Sequence, residues 1–141
     1  MTALRRLDHV AIAVRATDEA LEYFSGKLGL EVSHSEEIAS PHVRLTYLDA
    51  GNTYIQLVEP LDSEAELSQW LAENGEGLHH ICFAVDDVLA TVRGLSLDGG
   101  SPPTVTARGR MAAFVPGARM HGVVVECTEF RKEDESRTAR T

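Results

Sequence analysis

Hydrophobic and polar positions along this chain switch between two periods. In residues 7–14, His9, Ala11 and Ala13 alternate with Val10, Ile12 and Val14, the period of two that marks a strand with small side chains on one face. Thr17 then offers a helix cap, with Asp18 and Glu19 in the first turn. Leu21, Phe24 and Leu28 follow at helical spacing, and Gly29 closes the helix. Residues 31–36 predict a second strand, and residues 43–49 and 53–59 a hairpin around Gly51-Asn52. The predicted order is βαβββ.

The second half repeats that order. Residues 78–85 form its first strand. Asp86 and Asp87 open a helix with Val88, Val92 and Leu95 turned inward, ended by Gly99-Gly100. Strands are predicted at 104–107, 111–115 and 122–128. Between the halves, Ser63 and Glu66 have the spacing of a capping box. Leu67, Trp70 and Leu71 make an apolar stripe, and Asn74-Gly75 ends that helix. The expected organisation is one domain over residues 1–130: module one at 5–60, a linking helix at 61–76 and module two at 77–130. Residues 131–141, almost all charged or hydroxylic, predict a disordered tail.

The repeat is also visible residue by residue. Leu7-Asp8-His9-Val10-Ala11-Ile12-Ala13-Val14 aligns without gaps on Leu78-His79-His80-Ile81-Cys82-Phe83-Ala84-Val85, and Tyr54-Ile55-Gln56-Leu57-Val58-Glu59 on Val124-Val125-Glu126-Cys127-Thr128-Glu129. His9 thus corresponds to His80, and Gln56 to Glu126. Two such modules, α+β in class, would curl into a cupped, barrel-like mixed sheet with the first and last strand of each module lining one site. Two imidazoles, an amide and a carboxylate on strand faces beside small residues suit a divalent first-row ion (Co, Ni, Mn, Zn or Fe) and are too rich in nitrogen for a calcium site. The expected metal ligands are therefore His9, Gln56, His80 and Glu126. His79 points to the opposite face from His80. His34, His42 and His121 lack repeat partners and read as surface residues. Glu59 and Glu129 fall on the other face from Gln56 and Glu126, a structural place.

Composition narrows the partners. At 141 residues and 43% apolar the chain can bury a core. A formal net charge of −9 without a basic block argues against nucleic acid. No apolar run is long enough to span a bilayer and no secretory leader precedes the first strand, so a cytoplasmic protein is expected. Cys82 and Cys127 sit in apolar strands and read as reduced core thiols.

These motifs resemble the vicinal oxygen chelate superfamily, and within it the methylmalonyl-CoA epimerase family. The resemblance covers most of residues 7–130. It is carried by residues 7–14 above, Leu28-Gly29-Leu30-Glu31-Val32, Gly51-Asn52-Thr53, Leu57-Val58-Glu59-Pro60, and above all Trp70-Leu71-Ala72-Glu73-Asn74-Gly75-Glu76-Gly77-Leu78-His79-His80-Ile81. It implies paired βαβββ modules around one divalent metal and a homodimer. It also implies a thioester substrate of coenzyme A that loses and regains a proton at C2, with Glu126 doubling as an acid/base group. Two departures stand out. Family members with Gln at the place of Gln56 supply a glutamate on the preceding strand, where this chain has Leu45. The segment from Gly100 to Phe114 is shorter than the family's glycine-rich loop, and Val115-Pro116 replaces its His-Pro.

Other functions use the same scaffold. A glyoxalase-type lyase or isomerase acting on a glutathione hemithioacetal needs one main base, which Glu126 would supply. A non-catalytic protein that sequesters drugs or antibiotics would have no need of His9, His80 and Glu126. A dioxygenase would use two histidines and one carboxylate on iron, and Gln56 fits that less well. For Arg108, Arg110 and Arg119 the two readings are contacts to substrate phosphate or carboxylate, and solvated surface charge.

Overall fold

The computed structural model describes residues 4–95, 103–115 and 121–138. Among them run β1 (Leu4–Ala13), α1 (Thr17–Leu21) continuing as a π-helical segment (Glu22–Lys27), β2 (Glu31–Ile38), β3 (Val43–Asp49), β4 (Tyr54–Pro60), α2 (Glu66–Asn74), β5 (Gly77–Val85), α3 (Val88–Leu95), β6 (Thr104–Val105), β7 (Met111–Phe114), β8 (Val125–Glu129) and α4 (Glu133–Thr138). The order βαβββ thus occurs twice, joined by α2. The chain divides into two compact units, Val10–His79 and Met1–His9 with His80–Thr141. Both dividing points fall inside strands, after His9 in β1 and after His79 in β5. Sequence defines a repeat and packing defines a unit, so these boundaries differ from those of the modules.

In the unit Val10–His79, β2, β3 and β4 pair antiparallel. The β3–β4 turn follows the Gly51 signal, with Gly51 at φ 90° and its N–H donating to Asp49 Oδ1 at 2.7 Å. Val14, Leu48 and Leu57 form the core, with Leu21, Phe24 and Leu30 packed against them. Three local expectations are corrected. The cap of α1 is not the Thr17 side chain: Thr17 is buried, and its N–H and hydroxyl both donate to Glu59 at 3.0 and 2.6 Å. Leu28 is 54% exposed, because the wider π-helical segment turns it away from the stripe shared by Leu21 and Phe24. Ser63 forms no capping box: α2 begins after Ala65 without a side-chain cap, and the preceding turn is organised by Asp62, which accepts from the Glu64 N–H and the Ser68 hydroxyl. The end of α2 is as expected, with the Gly75 N–H donating to the Leu71 carbonyl at 2.8 Å.

In the other unit, β5 pairs parallel with β8, while β8–β7 and β7–β6 pair antiparallel. Val85, Val88, Val92, Ala113, Val115 and Cys127 form its core. Asp87 caps α3 through the Ala90 N–H at 3.0 Å. Val88 and Val92 are buried as expected, while Leu95, expected inward, is 37% exposed and Thr91 is buried as well. The expected Gly99-Gly100 stop lies outside the described residues. The strand expected over 104–107 ends at Val105, where a 3-10 turn, Ala107–Gly109, takes over.

The sharpest correction concerns the tail. Residues 133–138, expected to be disordered, form α4. Its Asp134 is buried and grips Arg110 through two bonds of 2.8 and 3.1 Å. Arg110 is itself buried, so a charge in the core holds this charged segment in place. Residues 139–141 lie outside the described residues. Among the described residues no helix is long and apolar enough to cross a membrane.

Candidate metal centre

Strand alternation positions the first two candidate ligands. In β1, His9, Ala11 and Ala13 are buried while Val10 and Ile12 are partly covered. In β5, His80, Cys82 and Ala84 are buried and His79, Ile81 and Phe83 are not. The third comes from β8, where Glu126 pairs with Cys82 of β5 on one side and Phe114 of β7 on the other. All three belong to one compact unit. Glu126 Oε1 lies 3.3 Å from His9 Nε2 and 3.2 Å from His80 Nε2. One ligand atom from each residue falls within 4.8 Å of the others. Phe114 stands edge-on to the His80 ring, centroids 4.9 Å apart, and remains 44% exposed. It makes an apolar wall beside the ligand atoms.

Burial and close partners set the charges here. Burial pushes the Glu126 carboxyl up, but the bonds to His80 and His9 and their positive charge outweigh it and hold it well below the usual carboxylate range. Burial pushes His9 down, and its bonds to Asp8 and Glu126 more than reverse that. Asp8, buried next to His9, carries the same contest: burial raises it, while the His9 bond and the Arg108 charge bring it to about 2. Cys82 is driven well above its ordinary value by burial and by the Glu126 charge, so it stays a neutral thiol. Of the two His/Cys/carboxylate groups with converging ligand atoms among the described residues, Asp8–His9–Cys82 and His9–His80–Glu126, the second therefore has the better donors.

The fourth expected ligand, Gln56, lies in the other unit and is described with it. It is buried on β4 opposite Tyr47 of β3. Its Nε2 donates to the Tyr47 hydroxyl at 2.9 Å, which makes the carbonyl oxygen, the metal-binding end of an amide, the other pole of the group. Leu45, two residues before Tyr47, is buried on the same strand face.

The model of the Glyoxalase/Bleomycin resistance protein/Dioxygenase superfamily matches residues 8–114. The chain belongs to that superfamily. It is 32% identical over 127 residues to the ethylmalonyl-CoA/methylmalonyl-CoA epimerase of Cereibacter sphaeroides, covering 86% of this chain and 95% of the relative. It is 31% identical over 132 residues to an uncharacterized Bacillus subtilis protein, covering 89% and 93%. Among solved structures, a methylmalonyl-CoA epimerase in complex with methylmalonyl-CoA and NH4+ superposes with a TM-score of 0.81 at 31% identity, over 92% of this chain and 97% of that one. These likenesses place it with the epimerase-like isomerases of the superfamily.

Two imidazole nitrogens and a carboxylate are donors that divalent first-row metals accept. His9 Nδ1 lies 2.7 Å from Asp8 Oδ2, a carboxylate partner of the kind that leaves Nε2 available to an ion. The residues present thus fit a divalent ion. Sequence reasoning missed Asp8 and its pairing with Arg108, whose guanidinium reaches Asp8 at 2.6 Å. The signal available was an acid directly before a candidate ligand histidine. It also left Arg108 and Arg110 as substrate contacts or solvated charge, and both instead make ion pairs with buried carboxylates. Arg119 lies outside the described residues. The readings of His79, of Glu59 and Glu129 and of the cysteines stand: His79 turns away and packs against Trp70 at 4.9 Å between ring centroids. Glu59 and Glu129 serve structure, Glu129 accepting from the Met111 N–H at 2.8 Å. Both cysteines are free and buried.

Proposed function

We propose that this superfamily member is a divalent-metal-dependent epimerase of methylmalonyl-CoA or a related acyl-CoA, with His9, His80, Glu126 and Gln56 as metal ligands. The observation that carries the reading is the convergence of His9, His80 and Glu126 in a chain whose relatives bear the epimerase name. Gln56 joins the set on its repeat pairing with Glu126. A bound ion would supply Lewis acidity, which lowers the cost of negative charge on the substrate oxygens.

The chain's own residues supply the rest. Glu126 presents Oε1 to both imidazoles, and Oε2 is the oxygen proposed to take the C2 proton. Phe114 packs edge-on against His80 and sets an apolar side chain on that flank of the site. Leu45 removes from the Tyr47 face of β3 the carboxylate that the family carries there, so this chain works with a single carboxylate in its ligand set. The native metal is one of Co, Ni, Mn, Zn or Fe. A cytoplasmic homodimer is part of the same proposal and rests on the likeness to the family.

Proton exchange tests it directly. Methylmalonyl-CoA is incubated in D2O with cobalt-loaded protein and with a metal-free control. Cobalt-dependent deuterium entry at C2 together with inversion is the expected result; no exchange overturns the proposal. Leu45 favours one second reading, a glyoxalase-type reaction on a glutathione hemithioacetal in which Glu126 is the one main base. Exchange without inversion would mean a one-base enzyme acting on another substrate, and no exchange would move the assignment to the glyoxalase-type reading.

A further inference from the structure

We propose that Arg108 is a positioning residue of the metal centre, setting Asp8 and, through Asp8, the imidazole of His9. The inference rests on the ligand set proposed above. Asp8 Oδ2 is shared: it lies 2.7 Å from His9 Nδ1 and 2.6 Å from Arg108 Nη2, while Arg108 Nη1 reaches Asp8 Oδ1 at 3.4 Å. The side chains of Asp8 and His9 are almost wholly buried and that of Arg108 is 14% exposed. A two-nitrogen grip on two oxygens fixes the carboxylate plane, which a single point charge does not do. The fixed carboxylate holds the proton on Nδ1 and leaves Nε2 as the ligating atom.

The backbone around Arg108 is built for this reach. Arg108 sits at φ 59°, ψ 20°, and Gly109 follows at φ 66°. A left-handed conformation is unfavourable for a residue with a Cβ and persists only where the surroundings over-determine it. Here the Gly109 and Arg110 N–H groups bond back to the Thr106 and Ala107 carbonyls at 3.0 and 3.2 Å, and Arg131 donates to the Gly109 carbonyl at 2.8 Å. The turn thus places an arginine behind a proposed metal ligand.

Two readouts test the assignment on the full-length protein. The first needs no metal: long-range 1H–15N spectra of histidine-labelled protein, at a pH where the imidazoles are neutral. His9 should be the Nδ1–H tautomer in the parent chain, and Arg108→Ala should populate the Nε2–H tautomer. The second is cobalt titration, where Arg108→Ala should weaken binding by about 10–100-fold, the range for losing a partner behind a ligand. Arg108→Ala and Asp8→Ala should then be non-additive in the double variant, because they act along one chain of contacts. Arg108→Lys keeps the charge without the two-nitrogen grip and should show a partial loss in both readouts, and it decides the matter if the alanine variant fails to fold. A lysine variant equal to the parent would reduce Arg108 to neutralising a buried charge and overturn the proposal. So would an alanine variant unchanged in tautomer and affinity. A parent protein that binds no cobalt would sink the ligand set instead, while the tautomer readout would still decide the role of Arg108.

Discussion

The rings of His9 and His80 stand 5.6 Å apart, edge-on at 74°, although they open two different repeats of the sequence. They share the compact unit that also carries Glu126. The chain therefore assembles three candidate ligands in a single body, and loss of any one is expected to act locally.

His80→Ala should abolish both metal binding and turnover. His9, Glu126 and Gln56 would remain of the proposed set, but three protein donors hold a divalent ion far more weakly than four. Metal content after dialysis, by elemental analysis, checks this. A full equivalent of metal on the variant would show that His80 is not a ligand.

Gln56→Glu should retain the metal and raise epimerase turnover. Leu45 leaves the β3 face without a carboxylate, and a glutamate on the neighbouring strand would restore a second acid/base group. An amide-to-acid change keeps the size of the side chain, and the Tyr47 hydroxyl, now 2.9 Å from Gln56, can turn to donate to the new acid. Inversion rates for the two proteins under identical cobalt loading decide it; unchanged or lower turnover counts against this account.

Asp134→Ala should destabilise the fold by about 3 kcal/mol, because it strips Arg110 of its two-bond partner inside the protein. Denaturant unfolding measures the loss. The same pair sets a pH dependence. Burial raises Asp134, but Arg110 and the Arg131 N–H bring it below 3.8. A carboxyl depressed on folding contributes stability that is complete above the unfolded value and is lost as pH falls through the folded one. Stability should thus drop below about pH 4 more steeply in the parent protein than in Asp134→Asn. Parallel acid profiles would contradict the assignment.

Leu48→Ala and Leu57→Ala should each cost about 2–5 kcal/mol, since both side chains are fully buried in the core of one unit. Leu28→Ala, at an exposed position, should cost well under that. Thermal or denaturant unfolding of the three variants side by side checks the order.

The sequence by itself determined the order of elements and the metal-centre candidates. Period-two alternation in β1 and β5 put His9 and His80 on the faces with small residues, and the repeat paired Gln56 with Glu126. Those signals are local, or depend only on comparing the chain with itself. What only the tertiary structure decided depends on partners distant in sequence. Glu59 caps α1 in place of Thr17. Arg110 recruits Asp134 and turns an apparent tail into α4. Arg108 reaches Asp8, 100 positions earlier in the chain, from a left-handed turn. Propensity ranks each of these charges as surface, because it prices a single residue against water. Only the folded chain brings the opposite charge close enough to make burial favourable.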